Sequence, residues 1–282
     1  MASRTQTVQD ISVPTFLYGT AWKEEATEGL VLEALAAGFR GIDTANQRRH
    51  YHEEGVGRAL DRAFQRGDVA RDDLFLQTKF THRAGQDHRL PYDPRAPVAR
   101  QVEQSFRSSL EHLGVERLDS LVLHGPSHPR RLAPEDVEAW RAMEALHEAG
   151  GVRLLGVSNV APSHLEELLD LARVRPAFVQ NRCFARIGWD APVREICGRA
   201  GIVHQPFSLL TANPQVLRHP AIGEIAARHG RTVPQVIFRF ALALGMIPLT
   251  GTTDPEHMRH DLGVYDFDLT DEEVWTVAEA GV

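Results

Sequence analysis

The 282-residue chain has only two cysteines, Cys183 and Cys197, too few for a disulfide framework or a cysteine-built zinc site. Both stand in apolar company and read as buried thiols. Positive charge is not in excess either: 31 Lys and Arg against 38 Asp and Glu leave a net charge of -7. Nonspecific binding to nucleic acid or an anionic membrane needs a basic field, so neither partner is expected. No apolar run approaches the ~20 residues that span a bilayer. The N-terminus MASRTQTVQD has no apolar core behind its single Arg, so it is not a secretory signal. The expectation is a soluble, cytoplasmic protein that acts on a small molecule. A G-x-G-x-x-G fingerprint after the first strand, the mark of a doubly wound dinucleotide fold, is also missing. Gly55-Val56-Gly57 lacks the third glycine and lies in a helical stretch, where it reads as packing. No linker or low-complexity segment divides the chain, so one domain over residues 1–282 is expected.

What is present is an alternation of short, β-rich apolar runs with longer segments of helical spacing, almost end to end. The eight predicted strands are Phe16–Trp22, Gly41–Ala45, Leu74–Phe80, Leu118–His124, Arg153–Asn159, Ala177–Cys183, Ile202–Ser208 and Met246–Thr252. Between them Val98, Val102, Phe106, Leu110 and Leu113 share one helical face, as do Leu165, Leu168, Leu169 and Ala172. Eight strands with intervening helices predict an α/β fold, a (β/α)8 TIM barrel, whose catalytic groups belong at the C-terminal strand ends.

Polar residues gather at those ends: Asp43-Thr44, Thr78-Lys79, His124, Ser158-Asn159, Gln180-Asn181 and Ser208. Any one of them also fits a helix cap. Lys79 is harder to read that way. It sits inside Leu-Phe-Leu-Gln-Thr-Lys-Phe, and a buried ammonium needs a carboxylate or loses its proton. Asp43 is the natural partner. With His124 at a third strand end, the group points to proton chemistry.

These residues lie in motifs that resemble the aldo-keto reductase family, from about Phe16 to the last helix. Gly38-Phe39-Arg40-Gly41-Ile42-Asp43-Thr44-Ala45 resembles its Gly-aromatic-Arg and Asp-Thr-Ala, and Thr78-Lys79 its Thr-Lys. Ser109-Leu110 through Leu123-His124-Gly125-Pro126 resembles its Ser-Leu to His-x-Pro block, and Gly156-Val157-Ser158-Asn159 its Gly-Val-Ser-Asn. The resemblance implies reduction of an aldehyde or ketone with a nicotinamide cofactor, with Asp43, Lys79 and His124 as three catalytic residues and a tyrosine as the fourth. Five residues after the aspartate, where the family has that tyrosine, stands Arg48. Asn46 through Gly57 departs from the family pattern by an insertion. Counting back from Val56-Gly57 gives His50, and a one-residue slip gives Tyr51. Tyr51 is assigned as the general acid, because a phenol beside a lysine cation can donate to a developing alkoxide. His50, which titrates near neutrality, is the alternative acid.

By the same resemblance Ser158, Asn159 and Gln180 hydrogen-bond the nicotinamide carboxamide, Phe207 stacks on its ring, and Ser208 meets the pyrophosphate. Leu249 stands where many relatives carry a lysine for the 2'-phosphate, and His257 where they carry an arginine, with Arg259 near. Thr250, Thr252 and the helix beginning near Asp254 are left as a phosphate seat. NADP(H) is placed ahead of NAD(H) by family habit. Trp22, His50, Phe80, Tyr92 and Trp189 are the expected pocket walls and suggest an apolar or aromatic substrate. The chain ends soon after its last helix, without the long C-terminal loop of many relatives. Two other functions stay open: a cofactor-binding regulatory member of the fold, motivated by the altered tyrosine loop, and a metal-dependent barrel hydrolase using His50, His52, Asp43, His124 and His204.

Overall fold

The computed structural model describes residues 2–281. The chain opens with an antiparallel hairpin, β1 (Thr5–Val8) and β2 (Ile11–Pro14), which the apolar pattern did not indicate. Then come β3 (Leu17–Gly19), α1 (Thr27–Ala37), β4 (Gly41–Asp43), α2 (Glu53–Arg66), β5 (Phe75–Phe80), α3 (Val98–Leu113), β6 (Leu118–Leu123) and α4 (Pro134–Glu148). The second half runs β7 (Val152–Ser158), α5 (Pro162–Leu171), β8 (Phe178–Arg182), α6 (Ala191–Ala200) and β9 (Val203–Phe207). It finishes with α7 (Pro214–Leu217), α8 (Pro220–His229), α9 (Val233–Ala243), β10 (Leu249–Thr250), α10 (Pro255–Leu262) and α11 (Asp271–Glu279).

The eight strands β3 to β10 form one parallel sheet in the order β10-β3-β4-β5-β6-β7-β8-β9. The chain leading into β10 closes the ring on β9, where Ile247 N–H donates to the His204 carbonyl at 3.0 Å. The result is a (β/α)8 TIM barrel with all eight predicted strands in place. β3 and β10 are shorter than the sequence pattern because they pair over two residues only, and the chain after β3 turns into left-handed backbone at Trp22 (φ +62).

Alternation along the strands divides the core in two. Outward residues pack beneath the helices in one large cluster, and inward ones fill the barrel. Val8 and Val13 of the hairpin join Leu17, Phe75, Leu154 and Phe178 inside the barrel, so the hairpin plugs its lower end. Above this apolar layer the register aligns Gln77 on Asp43, and Gln180 on Gln205. The inward residues thus turn polar one step below the upper rim. The Gly55 and Gly57 pair does serve packing: a Cβ on Gly57 would lie 1.9 Å from the His112 carbonyl oxygen, so α2 meets α3 through bare backbone.

Candidate active site

The upper end of the barrel opens into a cavity of about 1240 Å³, lined from the loops after β3 to β10. Asp43 forms its floor. Lys79 Nζ donates to both Asp43 carboxylate oxygens, at 2.8 and 2.7 Å, and to the Thr44 carbonyl at 2.8 Å. All three ammonium protons are therefore placed. Burial pushes Lys79 below the ordinary ammonium range, and the Asp43 charge opposes that. Amide donors complete the carboxylate: Gln77 Nε2 and Gln180 Nε2 reach Asp43 Oδ1 at 2.8 and 3.0 Å. Both amides also donate to Gln205 Oε1, at 2.8 and 3.2 Å. A buried ion pair is stable only with such further bonds to its spare lone pairs.

Tyr51 stands over this pair. Its ring centroid is 5.1 Å from Lys79 Nζ and 5.9 Å from the His124 ring. The inserted loop is tied down on both sides, since Tyr51 N–H donates to the Gln47 carbonyl at 3.0 Å and Gln47 Nε2 to the Gly85 carbonyl at 2.7 Å. The neighbouring Lys79 cation does not lower the Tyr51 phenol. Burial, and then the Asp43 charge, push it above its ordinary value, because the lysine protons are committed to Asp43 and Thr44 and its charge faces the ring. His124 follows β6 and is held by its backbone N–H to the Phe80 carbonyl at 2.9 Å. Burial, then the Lys79 charge, lower its pKa to about 3, so the neutral imidazole is the form present near pH 7. Thr81 Oγ1 lies 2.7 Å from its Nδ1.

His50 takes a different place. It lies at the mouth with its ring 3.8 Å from that of Trp22, and Trp22 N–H donates to the His50 carbonyl at 2.7 Å. Trp22 is 71% exposed and lines the cavity rim. The other three expected walls do not reach the cavity. Phe80 and Trp189 are each 1% exposed and belong to the outer core. Phe80 follows inward Lys79 and so points outward to the helices. Trp189 packs on Phe240 at 5.0 Å and donates Nε1–H to the Ala278 carbonyl at 3.2 Å. Tyr92 is buried with its hydroxyl on the Thr81 carbonyl at 2.8 Å.

The remaining expected residues line the cavity: Ser158, Asn159, Gln180, Phe207, Ser208, Thr250, Thr252 and His257. Ser158 and Asn159 do not cap α5, whose N-cap is Ala161. Instead Ser158 Oγ donates to the Gln180 carbonyl at 2.6 Å, and Asn159 Nδ2 to the His124 carbonyl at 2.8 Å. Because Gln180 Nε2 is taken by Asp43 and Gln205, its Oε1 is the atom left to face a ligand. One face of Phe207 meets Arg182, whose Cζ is 5.5 Å from the ring centroid. The expected phosphate seat is largely occupied by the protein itself. Thr250 Oγ1 donates to Asp261 at 2.7 Å, and Asp254 Oδ1 takes the Glu256 and His257 amides that begin α10 at 2.7 and 3.4 Å. The His257 side chain is mostly exposed.

Sequence reasoning missed four polar residues around this site. Gln77 and Gln205 sit two positions before Lys79 and Phe207, so strand period two would have found them. Thr81 and Lys23 lie in loops, where no period applies. Lys23 is only 5% exposed and lines the cavity, with its Nζ on the Gly251 carbonyl at 2.7 Å and 5.2 Å from the Tyr18 ring. Burial lowers its pKa to about 8. Among the described residues, no three His, Cys, Asp or Glu side chains form a metal-binding group. The set proposed for a hydrolase is dispersed: His52 turns to the Glu24 carbonyl, and outward His204 pairs with Asp190 at 2.8 Å.

Comparison with known proteins agrees with this architecture. The sequence model of the Aldo/keto reductase family matches residues 15–281. The chain is 30% identical over 266 residues to an uncharacterized oxidoreductase, YtbE, of Bacillus subtilis, covering 94% of this chain and 88% of that one. It is 31% identical over 251 residues to a glyoxal reductase of the same organism, covering 89% and 81%. An aldo/keto reductase crystal structure from Brucella melitensis superposes with a TM-score of 0.83 at 28% identity, covering 99% of this chain and all of that one. A Bombyx mori aldo-keto reductase solved with NADP has the same fold, at 24% identity and a TM-score of 0.83 over 99% and 93% of the two chains. The chain belongs to the aldo/keto reductase family. It is an NAD(P)H-dependent oxidoreductase of the carbonyl-reducing kind, and among its described residues no helix is long and apolar enough to cross a membrane.

Proposed function

We propose that the protein reduces small aldehydes or ketones to alcohols, with Tyr51 as the proton donor. The observation that carries this is the convergence of the Tyr51 ring, Lys79 Nζ and the His124 ring, 5.1 and 5.9 Å apart, on the cavity floor. A cavity of about 1240 Å³ exceeds the ~300–1,000 Å³ of ordinary ligand pockets, room for a dinucleotide and a small substrate together. When bound, the nicotinamide supplies a hydride to the carbonyl carbon. The chain's own residues manage the charge and proton on the oxygen. Tyr51 starts protonated, since burial and Asp43 hold its phenol above the ordinary range, and it gives that proton to the nascent alkoxide. Lys79, held by Asp43 and its amide donors, supports the Tyr51 ring from below with its ammonium 5.1 Å from the ring centroid and so keeps the phenol over the cavity floor. His124, neutral, orients the carbonyl oxygen.

For the cofactor, Gln180 Oε1 and the Ser158-Asn159 pair suit a carboxamide, Phe207 suits the ring, and Ser208 with Lys23 suits phosphates. NADP(H) stands ahead of NAD(H), in keeping with the silkworm relative and with His257 at the cavity edge, by a narrow margin. Substrates are small, because Trp22 and His50 are the aromatic walls at the mouth and the relative named a glyoxal reductase is a similar chain.

The test is oxidation of NADPH and NADH with a panel of short and aromatic aldehydes, on wild type, Tyr51→Phe and His50→Gln. Tyr51→Phe is expected to lose at least ~100-fold in kcat, the scale of general-acid catalysis, and to keep its cofactor affinity. Unchanged turnover in Tyr51→Phe with loss in His50→Gln would move the acid to His50.

A further inference from the structure

His124 meets the cavity with one edge of its ring and a buried hydroxyl with the other. Thr81 Oγ1 is 2.7 Å from Nδ1, and Thr81 is 4% exposed. Its position is fixed independently of the histidine. The Thr81 carbonyl accepts the Tyr92 hydroxyl at 2.8 Å and Gln86 Nε2 at 3.5 Å. Its methyl packs on Gly85, where any Cβ would stand 2.7 Å from Thr81 Cγ2, so the absence of a side chain at Gly85 makes room for this rotamer.

A neutral imidazole carries one N–H, and the partner of one nitrogen decides which atom bears it. His124 is neutral near pH 7. Were the proton on Nδ1, Thr81 Oγ1 would accept it, and the threonine's own buried O–H would lack an acceptor, since Nδ1 is its one hydrogen-bond partner among the described residues. A buried donor without an acceptor is disfavoured. With Thr81 as donor, both groups are satisfied and Nε2 carries the proton.

We propose that Thr81 is a positioning residue that locks His124 in the Nε2–H tautomer, so that the ring offers the substrate's carbonyl oxygen a hydrogen and not a lone pair. This rests on the carbonyl-reductase reading above in its final clause only. Thr81→Val keeps the shape and removes the donor. Nδ1 then loses the donor that keeps it bare, so the gap between the two neutral forms narrows and part of the population can turn the Nε2 lone pair toward the carbonyl. The expected result is a loss of about tenfold in kcat/KM, the worth of one modest hydrogen bond, with KM raised, cofactor affinity unchanged, and Thr81→Ser restoring wild-type values.

The deciding readout is independent of turnover: nitrogen-proton correlation NMR of the protein labelled with 15N-histidine, the His124 signals assigned by their loss in His124→Gln. Wild type and Thr81→Ser are expected to show protonated Nε2 and a hydrogen-bonded bare Nδ1, and Thr81→Val a shifted Nδ1 signal with a fraction of protonated Nδ1. Protonated Nδ1 in the wild type, or an unchanged spectrum in Thr81→Val, overturns the proposal. If Thr81→Val fails to fold, the wild-type and Thr81→Ser spectra still decide it. A chain that reduces no carbonyl yet shows protonated Nε2 sinks the activity reading and supports the tautomer lock.

Discussion

At the residue scale, His124 and Lys23 are both held below their ordinary protonation range, and each has a measurable consequence. His124 is kept neutral in the fold, with its pKa lowered to about 3 from 6.5 by burial and Lys79. Between those values the unfolded chain binds a proton that the folded one refuses, so stability falls as pH falls through 6.5 and is at its full value above it. Urea denaturation at about pH 7 and about pH 5.5 should show a larger drop for wild type than for His124→Gln, which has no proton to bind. Equal drops would place the lost stability in other histidines. Lys23 has the opposite use of its charge. Its pKa is lowered to about 8 by burial, with the Gly251 carbonyl as its hydrogen-bond acceptor. A phosphate beside it would supply the missing counter-charge below that pH, and the attraction would fade as the ammonium deprotonates. Cofactor affinity is therefore expected to weaken as pH rises through about 8. Lys23→Met should bind more weakly at pH 7 and lose this dependence, which fluorescence titration would read.

At the scale of elements, the site depends on where α2 begins. The Glu53 carboxylate is buried and accepts from Thr78 on β5 and from Ser109 at 3.1 Å, with His112 Nδ1 at 3.0 Å, both on α3. These bonds pin the first turn of α2, and with it the end of the inserted loop that carries Tyr51. Further along, Gly57 lets α2 lie against the α3 backbone. Gly57→Ala would put a Cβ 1.9 Å from the His112 carbonyl oxygen, which a rigid backbone cannot accommodate without moving. A loss of about 1–3 kcal/mol is expected from such overpacking, read as a lower urea midpoint, with kcat falling as Tyr51 shifts. Gly55→Ala, with its nearest neighbour a Thr27 side-chain carbon at 3.0 Å, should cost less.

The strands were legible in the sequence because each is a buried apolar run between breakers, and the motifs at their ends fixed which residues face upward. Asp43, Lys79 and His124 could be grouped for that reason. The pocket walls were not legible in the same way. Phe80 reads as a wall because it stands at a strand end, although alternation alone turns it outward, and Trp189 lies in a loop whose course only packing decides. The hairpin from Thr5 to Pro14 escaped because its strands are four residues each with a single buried residue apiece, Val8 and Val13, too few to show a period. An insertion in the tyrosine loop left two candidates one residue apart, and the backbone hydrogen bonds of Gln47 are what bring Tyr51 over the lysine.

At the scale of the whole molecule, the distribution of charge bears on which dinucleotide is used. Net charge is -7, and the Lys and Arg side chains lining the cavity, among the described residues, are Lys23 and Arg182. The wall from Thr250 to Asp261 has none; it offers Glu256, His257 and His260 instead. A 2'-phosphate placed there gains little Coulombic attraction and meets the Glu256 carboxylate. Affinities for NADPH and NADH should therefore lie within about tenfold of each other, ~1.4 kcal/mol. Either cofactor at about 100 times its dissociation constant should stabilise the fold by ~2.7 kcal/mol, a rise of roughly 4–5 °C in Tm for a chain of this size. At equal concentrations the two melting curves should nearly coincide, and Glu256→Gln should raise the NADPH curve alone. A large NADPH shift with none from NADH would mean that a cation outside the present lining, with Arg259 the nearest in sequence, swings in to hold the phosphate. Arg259→Ala would then abolish the difference.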